Sequence, residues 1–310
     1  MIKLFIYPTA RPHSHDLDTF YYNTTPMSIE GIKQYFTVVS DPTQADFFYC
    51  GQISDGTLYQ VKREEFTYLE GLEHKHIVTI EGDWVNESIP EYLLNCIFTG
   101  NGMKDYAKTY LYCARPCMSK LLVHLATKQV QYDVTFPDRV SFGFKGIPDV
   151  HGTRVRVANI INSLGLPHDI EFNSGWLGST DIRVNPTIQH YSKTMRDNLL
   201  SLCPRGAGED TIRFYESCFY GRVPIIIGRT KVMEEDFMTD KFFYKMDPNC
   251  TDTELMNFFI DICATPIEVL QQKAQQARNY FDATVKTYFS DPTGNFVQFL
   301  KNHKQIQLNP

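Results

Sequence analysis

A short stretch in the second half of the chain has the residue types and spacing best suited to binding phosphate. A strand is predicted to end at Pro204, Gly206 and Gly208 follow it, and a helix is predicted to begin at Asp210 or Thr211. Glycine lets the backbone come close to a ligand, and the amides of a helix start attract phosphate because they have no partner within the helix. The stretch therefore indicates a phosphate site at the carboxyl end of a strand.

Three charged side chains surround this predicted helix start. Arg205 precedes the helix, Arg213 lies in its first turn, and Glu216 lies one turn further on. Arginine donates charge-assisted hydrogen bonds to phosphate, and a carboxylate one turn away can accept from the hydroxyls of a ribose. The combination predicts a nucleotide-diphosphate site. Two alternatives stay open: glycines that serve turn geometry only, and a surface ion pair between Arg213 and Glu216.

The stretch matches neither of the standard phosphate-binding motifs. It has no Gly-Lys-Ser or Gly-Lys-Thr for a P-loop, and it lacks the third glycine of a dinucleotide fingerprint. These differences argue against a kinase and against a dehydrogenase.

The composition is that of an ordinary globular protein and excludes several functional classes. Of 310 residues, 43% are hydrophobic and 21% are charged, which argues against disorder, and the length suggests two domains or one large one. A net charge of −6 removes the electrostatic basis for broad nucleic-acid binding. No apolar run is long enough for a membrane span, and the N-terminus does not match a secretory signal. We therefore expect a cytoplasmic protein, or one trimmed of its anchor.

Short β-rich runs alternate with helical patterns along the chain, which is typical of parallel sheets in an α/β protein. A change near residues 132–137 predicts an N-terminal domain, 1–135, and a C-terminal domain, 136–284, with a final helix of about 285–310 packing back on the first. Two doubly wound domains would face a cleft at the carboxyl ends of their strands, where such folds bind ligands. Strands are predicted at 3–7, 45–50, 77–80, 140–144, 199–203 and 223–227, and helices beginning near residues 26, 118, 154, 186, 211, 252, 267 and 294. The first helix is expected to be capped by Thr25 and to include Phe36. The residues 251–254 are expected to form a capping box, and Gly165 and Gly221 to end two helices.

Residues 202–227 also resemble the signature of a known enzyme family. They contain Cys-Pro-Arg-Gly at 203–206, Arg-x-x-Glu at 213–216 and Gly-x-x-Pro at 221–224, followed by aliphatic residues. This order is similar to that of the exostosin-type glycosyltransferases, glycosyltransferase family 47. Weaker similarities extend the match over most of the chain, in the same order, at 44–49, 81–83, 133–137, 144–146 and Arg154.

The resemblance implies a GT-B fold, in which two Rossmann-like domains face a central cleft and the C-terminal domain holds a nucleotide-sugar donor. It implies an inverting transferase that moves a hexose or pentose to a glycan or glycoconjugate acceptor held by the N-terminal domain, and it favours UDP as the nucleotide. Animal and plant members of the family commonly carry an N-terminal membrane anchor. The lack of one in this sequence favours a microbial or viral member.

The resemblance also implies roles for single residues on the donor side. Inverting transfer needs the departing diphosphate to be neutralised. The helix start and its two arginines are expected to hold the phosphates, Glu216 the ribose, and an arginine of an earlier helix, Arg154 or alternatively Arg156, to add charge. The predicted donor-binding residues are Arg205, Gly206, Thr211, Arg213, Glu216 and Arg154.

The acceptor hydroxyl needs a base, and two carboxylates are candidates. Asp83 follows a predicted strand of the N-terminal domain, and it is equally compatible with a turn carboxylate after Gly82. Asp16 is the rival, on a loop that also carries His15. His15 and Trp176, both on predicted loops, are expected to contact the acceptor.

No metal is expected to take part in the reaction. Asp16-Leu-Asp18 has the Asp-x-Asp pattern with which a different glycosyltransferase fold holds a divalent cation, but its place after the first strand does not suit that fold. Cys113 and Cys117 have no second ligand pair at zinc spacing, and all eight cysteines are expected to be reduced. We therefore predict activity that survives EDTA.

Other functions are compatible with the same sequence. The main alternative is a sugar-nucleotide-binding or glycan-binding protein that has a GT-B fold and no turnover. The others are a GT-B enzyme of different chemistry, such as epimerisation or phosphorolysis, and a structural role in an assembly. No pattern in the sequence identifies the sugar, the acceptor, the linkage or the oligomeric state.

Overall fold

The structure of the protein is a computed structural model. It describes residues 1–8, 10, 27–54, 63–81, 91–93, 95–100, 111–114, 134–148, 151–173, 186–206, 211–230, 232–233, 235, 238 and 241–307.

The N-terminal part of the described chain forms a parallel sheet of six strands. Their spatial order is β2-β1-β3-β4-β5-β6, so the chain starts in the interior of the sheet, places β2 on one side and builds the rest on the other. One α-helix, α1 (Ile29–Tyr35), joins the first two strands, and short 3₁₀ turns lie at Pro42–Gln44, Arg63–Glu65, Glu73–Lys75 and Glu91–Leu93. The strands are β1 (Ile2–Ile6), β2 (Phe36–Val39), β3 (Phe47–Ser54), β4 (His76–Glu81), β5 (Ile97–Gly100) and β6 (Leu111–Ala114).

Helix α1 begins later than the sequence pattern predicts. Ser28 caps it, because its hydroxyl accepts the amide hydrogen of Gly31 at 3.0 Å. The cap predicted at Thr25, with Pro26 in the first turn, lies outside the described residues. The predicted helix also includes Phe36, which instead begins β2 and pairs with Ile2.

The C-terminal part of the described chain forms a parallel sheet of five strands in the order β11-β10-β9-β7-β8. These strands are β7 (Phe142–Gly146), β8 (His168–Phe172), β9 (Leu200–Pro204), β10 (Val223–Ile227) and β11 (Tyr244–Met246). The helices that follow them are α2 (Thr153–Ser163), α3 (Pro186–Asp197), α4 (Ile212–Phe219), α5 (Asp252–Ala264) and α6 (Ile267–Tyr280).

Side chains of the central strands alternate between two apolar layers, one on each face of this sheet. On β9, Leu202 faces the layer that contains α2 and α5, whereas Cys203 faces the layer that contains α3 and α4. On β10, Ile225 and Ile226 alternate in the same way. Strands buried on both faces explain why 223–227 is an unbroken apolar run in the sequence.

The strand order changes direction at β7, and this creates a crevice. From β7 the chain passes through α2 to the adjacent β8, and then crosses back over β7 through α3 to reach β9. Helices α2 and α4, which follow β7 and β9, therefore start from adjacent strands and lie on opposite faces of the sheet. A crevice opens where two such helices diverge, at the carboxyl ends of β7 and β9.

The end of the chain leaves the C-terminal core and packs on the N-terminal sheet. Helix α6 continues through a π turn (Phe281–Val285) into α7 (Lys286–Ser290), and Asp291 separates α7 from α8 (Pro292–Gln307). The Tyr35 hydroxyl donates to the Asp291 carboxylate. Gly31 of α1 faces Thr293 so closely that a Cβ would not fit. The side chains of α8 that enter the N-terminal core are Phe296, Val297 and Leu300.

The predicted fold class, α/β with two doubly wound Rossmann-like domains of the GT-B kind, is confirmed by these two parallel sheets. The six predicted strands are present with ends displaced by at most four residues, and the strand at 223–227 has the predicted bounds. Strands β2, β5, β6, β8 and β11 are not among the sequence predictions. In the described part of the chain, none of the helices has the length and apolarity that a membrane span requires.

Candidate functional site

Two residues from different strand–helix units meet at the crevice between β7 and β9. Helix α2 begins after Gly152, whose φ is 71°, and this places Arg154 in its first turn. Nη1 of Arg154 donates to the carbonyl of Ile147 at 2.8 Å. Nη2 lies beside Gly206, where a Cβ would stand 2.7 Å from it. The guanidinium is therefore held over the loop that leaves β9.

An aromatic ring lies next to two arginines in the same crevice. The Phe144 ring centroid is 5.7 Å from the Arg154 guanidinium carbon and 4.4 Å from that of Arg213. Arg213 also lies over the ring of Tyr191, at 4.8 Å, and donates to the carbonyl of Lys145. With 9% of its surface exposed, Arg213 is fixed between two rings and a strand end.

Glu216 is also buried, and its described partner comes from α3. Only 4% of its surface is exposed, and its carboxylate accepts a hydrogen bond from the Tyr191 hydroxyl. Burial raises the pKa of Tyr191 well above its usual value, so this hydroxyl keeps its proton and acts as the donor. Because Arg213 and Glu216 are both buried, they are not a surface ion pair.

The other donor-side residues of the sequence prediction lie around the start of α4. The amide of Arg205 donates to the carbonyl of Ile227 at 2.9 Å, which extends the pairing of β9 with β10. Helix α4 begins at Ile212 with Thr211 as N-cap, and the Thr211 hydroxyl does not cap the first turn. Gly208 and Asp210 lie outside the described residues.

The two arginines that the sequence left as alternatives point in different directions. Arg156 leaves the crevice and binds the start of α5, where it donates to the Pro248 carbonyl of the preceding loop at 2.9 Å and to Oδ1 of Asp252, the first helical residue, at 2.7 Å. Arg154 turns toward Gly206. Of these two arginines, only Arg154 is therefore placed to contact a ligand at the carboxyl ends of β7 and β9.

The predicted bases and acceptor contacts, Asp83, Asp16, His15 and Trp176, lie outside the described residues. Within the described ranges, no group of three His, Cys, Asp or Glu side chains is arranged to hold a metal ion. Cys203, at the start of the family-like motif, is fully buried, and burial raises its pKa to about 11. Its thiol is therefore a packing group and not a nucleophile.

Sequence reasoning did not identify Tyr191, Lys145, Glu171 or His190, which lie at or beside the crevice. Lys145 follows Phe144 on β7, so its side chain emerges on the opposite face of the sheet and reaches Glu171 and His190. Tyr191 lies on α3 and has no motif around it. A strand predicted over 142–146, with side chains alternating between faces, would have placed Lys145 and Phe144 on opposite faces of the sheet. No signal in the sequence indicates that Lys145 contacts Glu171 and His190.

A cavity of about 510 Å³ lies elsewhere, beside β1, α1 and α8 of the N-terminal domain. We place the candidate site at the crevice and not at this cavity, because the crevice combines the switch in strand order with two guanidinium groups. The cavity is lined by Met1, Ile2, Gln34, Tyr35, Asp46, Val297 and Lys301.

No protein-family model matches the chain, and no curated protein matches it in sequence. Among solved structures, TarM is similar at 10% identity and a TM-score of 0.38, over 74% of this chain and 56% of TarM. The chain thus spans little more than half the length of TarM. An α1,3-fucosyltransferase has 11% identity and a TM-score of 0.34, over 92% of this chain and 91% of the other. A Listeria monocytogenes protein, assigned provisionally as a UDP-N-acetylglucosamine 2-epimerase, has 10% identity and a TM-score of 0.35, over 98% and 97%.

Proposed function

We propose that this protein is an inverting, metal-independent glycosyltransferase of the exostosin type, which moves a sugar from a UDP-sugar to a glycan or glycoconjugate acceptor. The donor diphosphate binds at the crevice between β7 and β9. The sequence resemblance at 202–227 supports the reaction class. The position of Arg154 against Gly206 is the main observation that supports this location for the binding site.

The crevice supplies the features that a diphosphate requires. The first turns of α2 and α4 both begin there, after Gly152 and Thr211, and neither of these two N-cap residues caps its helix with a side chain. The Arg154 guanidinium, from the first turn of α2, lies beside the backbone of Gly206, which precedes α4 in the chain. Diphosphate oxygens bound there would face amide dipoles and a fixed positive charge, which neutralises the charge of the leaving group.

Arg213 and Glu216 are proposed to act on the donor from the floor of the crevice. Arg213 holds the end of β7 through the Lys145 carbonyl and adds positive charge under the phosphates. Glu216 accepts from the Tyr191 hydroxyl, as it would accept from a ribose hydroxyl. Donor binding therefore exchanges the tyrosine hydroxyl for a ribose hydroxyl on the same carboxylate.

The transfer step needs a base on the acceptor side. The acceptor hydroxyl loses its proton to this base and attacks the anomeric carbon, while the bond from that carbon to the diphosphate oxygen breaks on the opposite face. Asp83 and Asp16 are the proposed candidates for the base, and His15 and Trp176 are the proposed acceptor contacts. The electron pair of the broken bond leaves with the diphosphate, where Arg154 and the helix starts receive the charge.

Binding of UDP measured by calorimetry tests the donor site. We expect Arg154→Ala to weaken UDP binding by at least tenfold, because a charge-assisted contact is lost. Arg196→Ala removes the same charge from an exposed position on α3 and is the matched control. Equal affinities in the wild type and Arg154→Ala would reject this site.

Turnover with a panel of UDP-sugars tests the reaction. Slow donor hydrolysis without acceptor is expected, and it should persist in EDTA if no metal takes part. Asp83→Asn and Asp16→Asn, assayed separately, should differ by orders of magnitude if one of them is the base. Tight UDP binding without hydrolysis or transfer of any donor would instead indicate the non-catalytic binding protein.

A further inference from the structure

A buried lysine holds two half-exposed polar side chains beside the crevice. Nζ of Lys145 lies 2.8 Å from Oε2 of Glu171 and 2.5 Å from Nδ1 of His190. The lysine side chain is 2% exposed, whereas Glu171 and His190 are each 46% exposed. We call these three residues the lysine-centred cluster.

The contacts of the lysine determine what its two partners can offer to a ligand. An ammonium group only donates hydrogen bonds, so Nδ1 of His190 accepts from Lys145 and the ring hydrogen is on Nε2. The same Nδ1 lies 3.4 Å from Oε2 of Glu171. The hydrogen bond from Lys145 lowers the pKa of Glu171, so this carboxylate is ionised and only accepts. The cluster therefore combines one fixed donor, Nε2–H of His190, with one fixed acceptor, the carboxylate of Glu171.

Stability alone does not account for this arrangement. Burying an ammonium group has a large desolvation cost, and an ion pair with a half-exposed carboxylate returns little of it. An apolar side chain at position 145 would fill the same place without that cost. What the buried lysine does provide is a fixed orientation for the exposed groups of Glu171 and His190.

The cluster adjoins the proposed nucleotide site through shared residues. The carbonyl of Lys145 binds Arg213, while its side chain binds Glu171 and His190. His190 precedes Tyr191, whose hydroxyl binds Glu216. In a nucleotide the ribose lies between the diphosphate and the base. With phosphates at Arg154 and ribose at Glu216, the base would extend toward α3 and β8.

We propose that His190 and Glu171 recognise the base of the donor nucleotide and select bases that carry a ring N–H beside a carbonyl. Nε2–H of His190 donates to that carbonyl, and Glu171 accepts from that ring N–H. Uracil and guanine offer this pair of groups, whereas cytosine and adenine offer an unprotonated ring nitrogen beside an amino group. The proposal rests on the proposed function, because it assigns the base of the same nucleotide.

Affinities of UDP, GDP, CDP and ADP for the full chain test this selection. For the wild type we expect UDP or GDP to bind about 10- to 100-fold more tightly than CDP and ADP, because the wrong base leaves Glu171 facing an acceptor. In Glu171→Gln, the amide oxygen still accepts from Lys145, so the amide nitrogen faces the ligand. A hydrogen-bond donor then stands where the wild type has an acceptor. The preference should then fall by at least tenfold.

His190→Gln and Lys193→Ala complete the test. His190→Gln should also reduce the preference, whereas Lys193→Ala, an exposed change on the same helix, should leave it at the wild-type value. Arg154→Ala should weaken all four diphosphates by similar factors. An unchanged preference in both cluster variants, with diphosphates still bound, would overturn the base assignment and leave the proposed function intact. Failure of the wild type to bind any of the four would overturn both.

Discussion

Nη2 of Arg154 lies against the backbone of Gly206, although the two residues belong to different strand–helix units of the C-terminal domain. Arg154 comes from α2, which follows β7, and Gly206 comes from the loop that follows β9. The absence of a side chain at position 206 is what allows the guanidinium to sit over the exit of β9.

Gly206→Ala should therefore affect ligand binding more than stability. The new Cβ would stand 2.7 Å from the tip of Arg154, and a flexible side chain can move away at little cost. We expect the free energy of unfolding to change by less than about 1 kcal/mol, while UDP affinity falls about tenfold.

Gly165→Ala is the matched control for this variant. Gly165 has a φ of 64° with open space around it, so alanine there should cost about 1 kcal/mol of stability through backbone strain and leave UDP affinity unchanged. Urea unfolding and calorimetry on both variants check the contrast. Unaltered UDP affinity in Gly206→Ala would contradict the role given to Arg154.

Tyr191→Phe should change stability and affinity in opposite directions. The variant removes the hydroxyl that donates to buried Glu216, which should cost about 1–3 kcal/mol of stability. The same change removes the competitor of the ribose hydroxyl, so UDP should bind several-fold more tightly. Tyr220→Phe is the control, since the hydroxyl of this residue, which directly follows α4, also donates to α3, at Ser192 Oγ, 3.1 Å away. Weaker UDP binding in Tyr191→Phe would reject the proposed exchange.

Arg222→Met should destabilise the C-terminal domain without acting on the ligand directly. Arg222 is fully buried and donates to the carbonyls of Met195 at 2.9 Å and Arg196 at 2.6 Å, which end helix α3. Methionine would fill the volume but leave these carbonyls without that donor, at a cost of roughly 3 kcal/mol. Thermal unfolding measures the loss. A midpoint equal to that of the wild type would show that the carbonyls find other donors.

The stability of the protein should fall as the pH decreases from about 6.5 to 4, because of His76. Burial lowers the pKa of this fully buried histidine to about 4, and its ring hydrogen-bonds to Tyr7 at 2.9 Å and to the Leu72 carbonyl at 2.7 Å. The unfolded chain binds a proton near pH 6.5 and the folded chain does not, so protonation favours unfolding in this range.

From the two pKa values, His76 should contribute a loss of about 2 kcal/mol between pH 7 and pH 5. Denaturant unfolding at several pH values measures it, and His76→Gln, which has no ring to protonate, should lack this part of the slope. Identical pH dependence in the wild type and the variant would contradict the assignment.

Local signals in the sequence determined much of the fold, because they act over three or four residues. The capping box at the start of α5 forms as predicted: the Glu254 amide donates to the Thr251 hydroxyl at 3.2 Å, and the Thr251 amide donates to the Glu254 carboxylate at 2.7 Å. Gly165 and Gly221 end helices with positive φ, as their positions predict. The apolar run at 223–227 predicted strand β10.

Short or half-exposed strands were not predicted, because they produce only weak local signals in the sequence. Strand β8 is partly exposed along its length, and β11 has three residues, so neither produces a long apolar run. Strand β2 directly follows α1, and Phe36 continues the helical spacing of that element. The spacing at Phe36 fits either a helix or a strand, and the pairing of Phe36 with Ile2 decides in favour of the strand.

The sequence by itself determined the two-domain α/β class and the segment at 202–227, because hydrophobic periodicity, caps and turn residues are local properties of the chain. Only the tertiary structure decided that Arg154 and not Arg156 reaches Gly206, that Tyr191 covers Glu216, and that Lys145 joins Glu171 to His190. These contacts link residues 25 to 52 positions apart. They exist because the chain crosses back over β7 to place β9 beside it, and strand order is a result of packing the whole sheet.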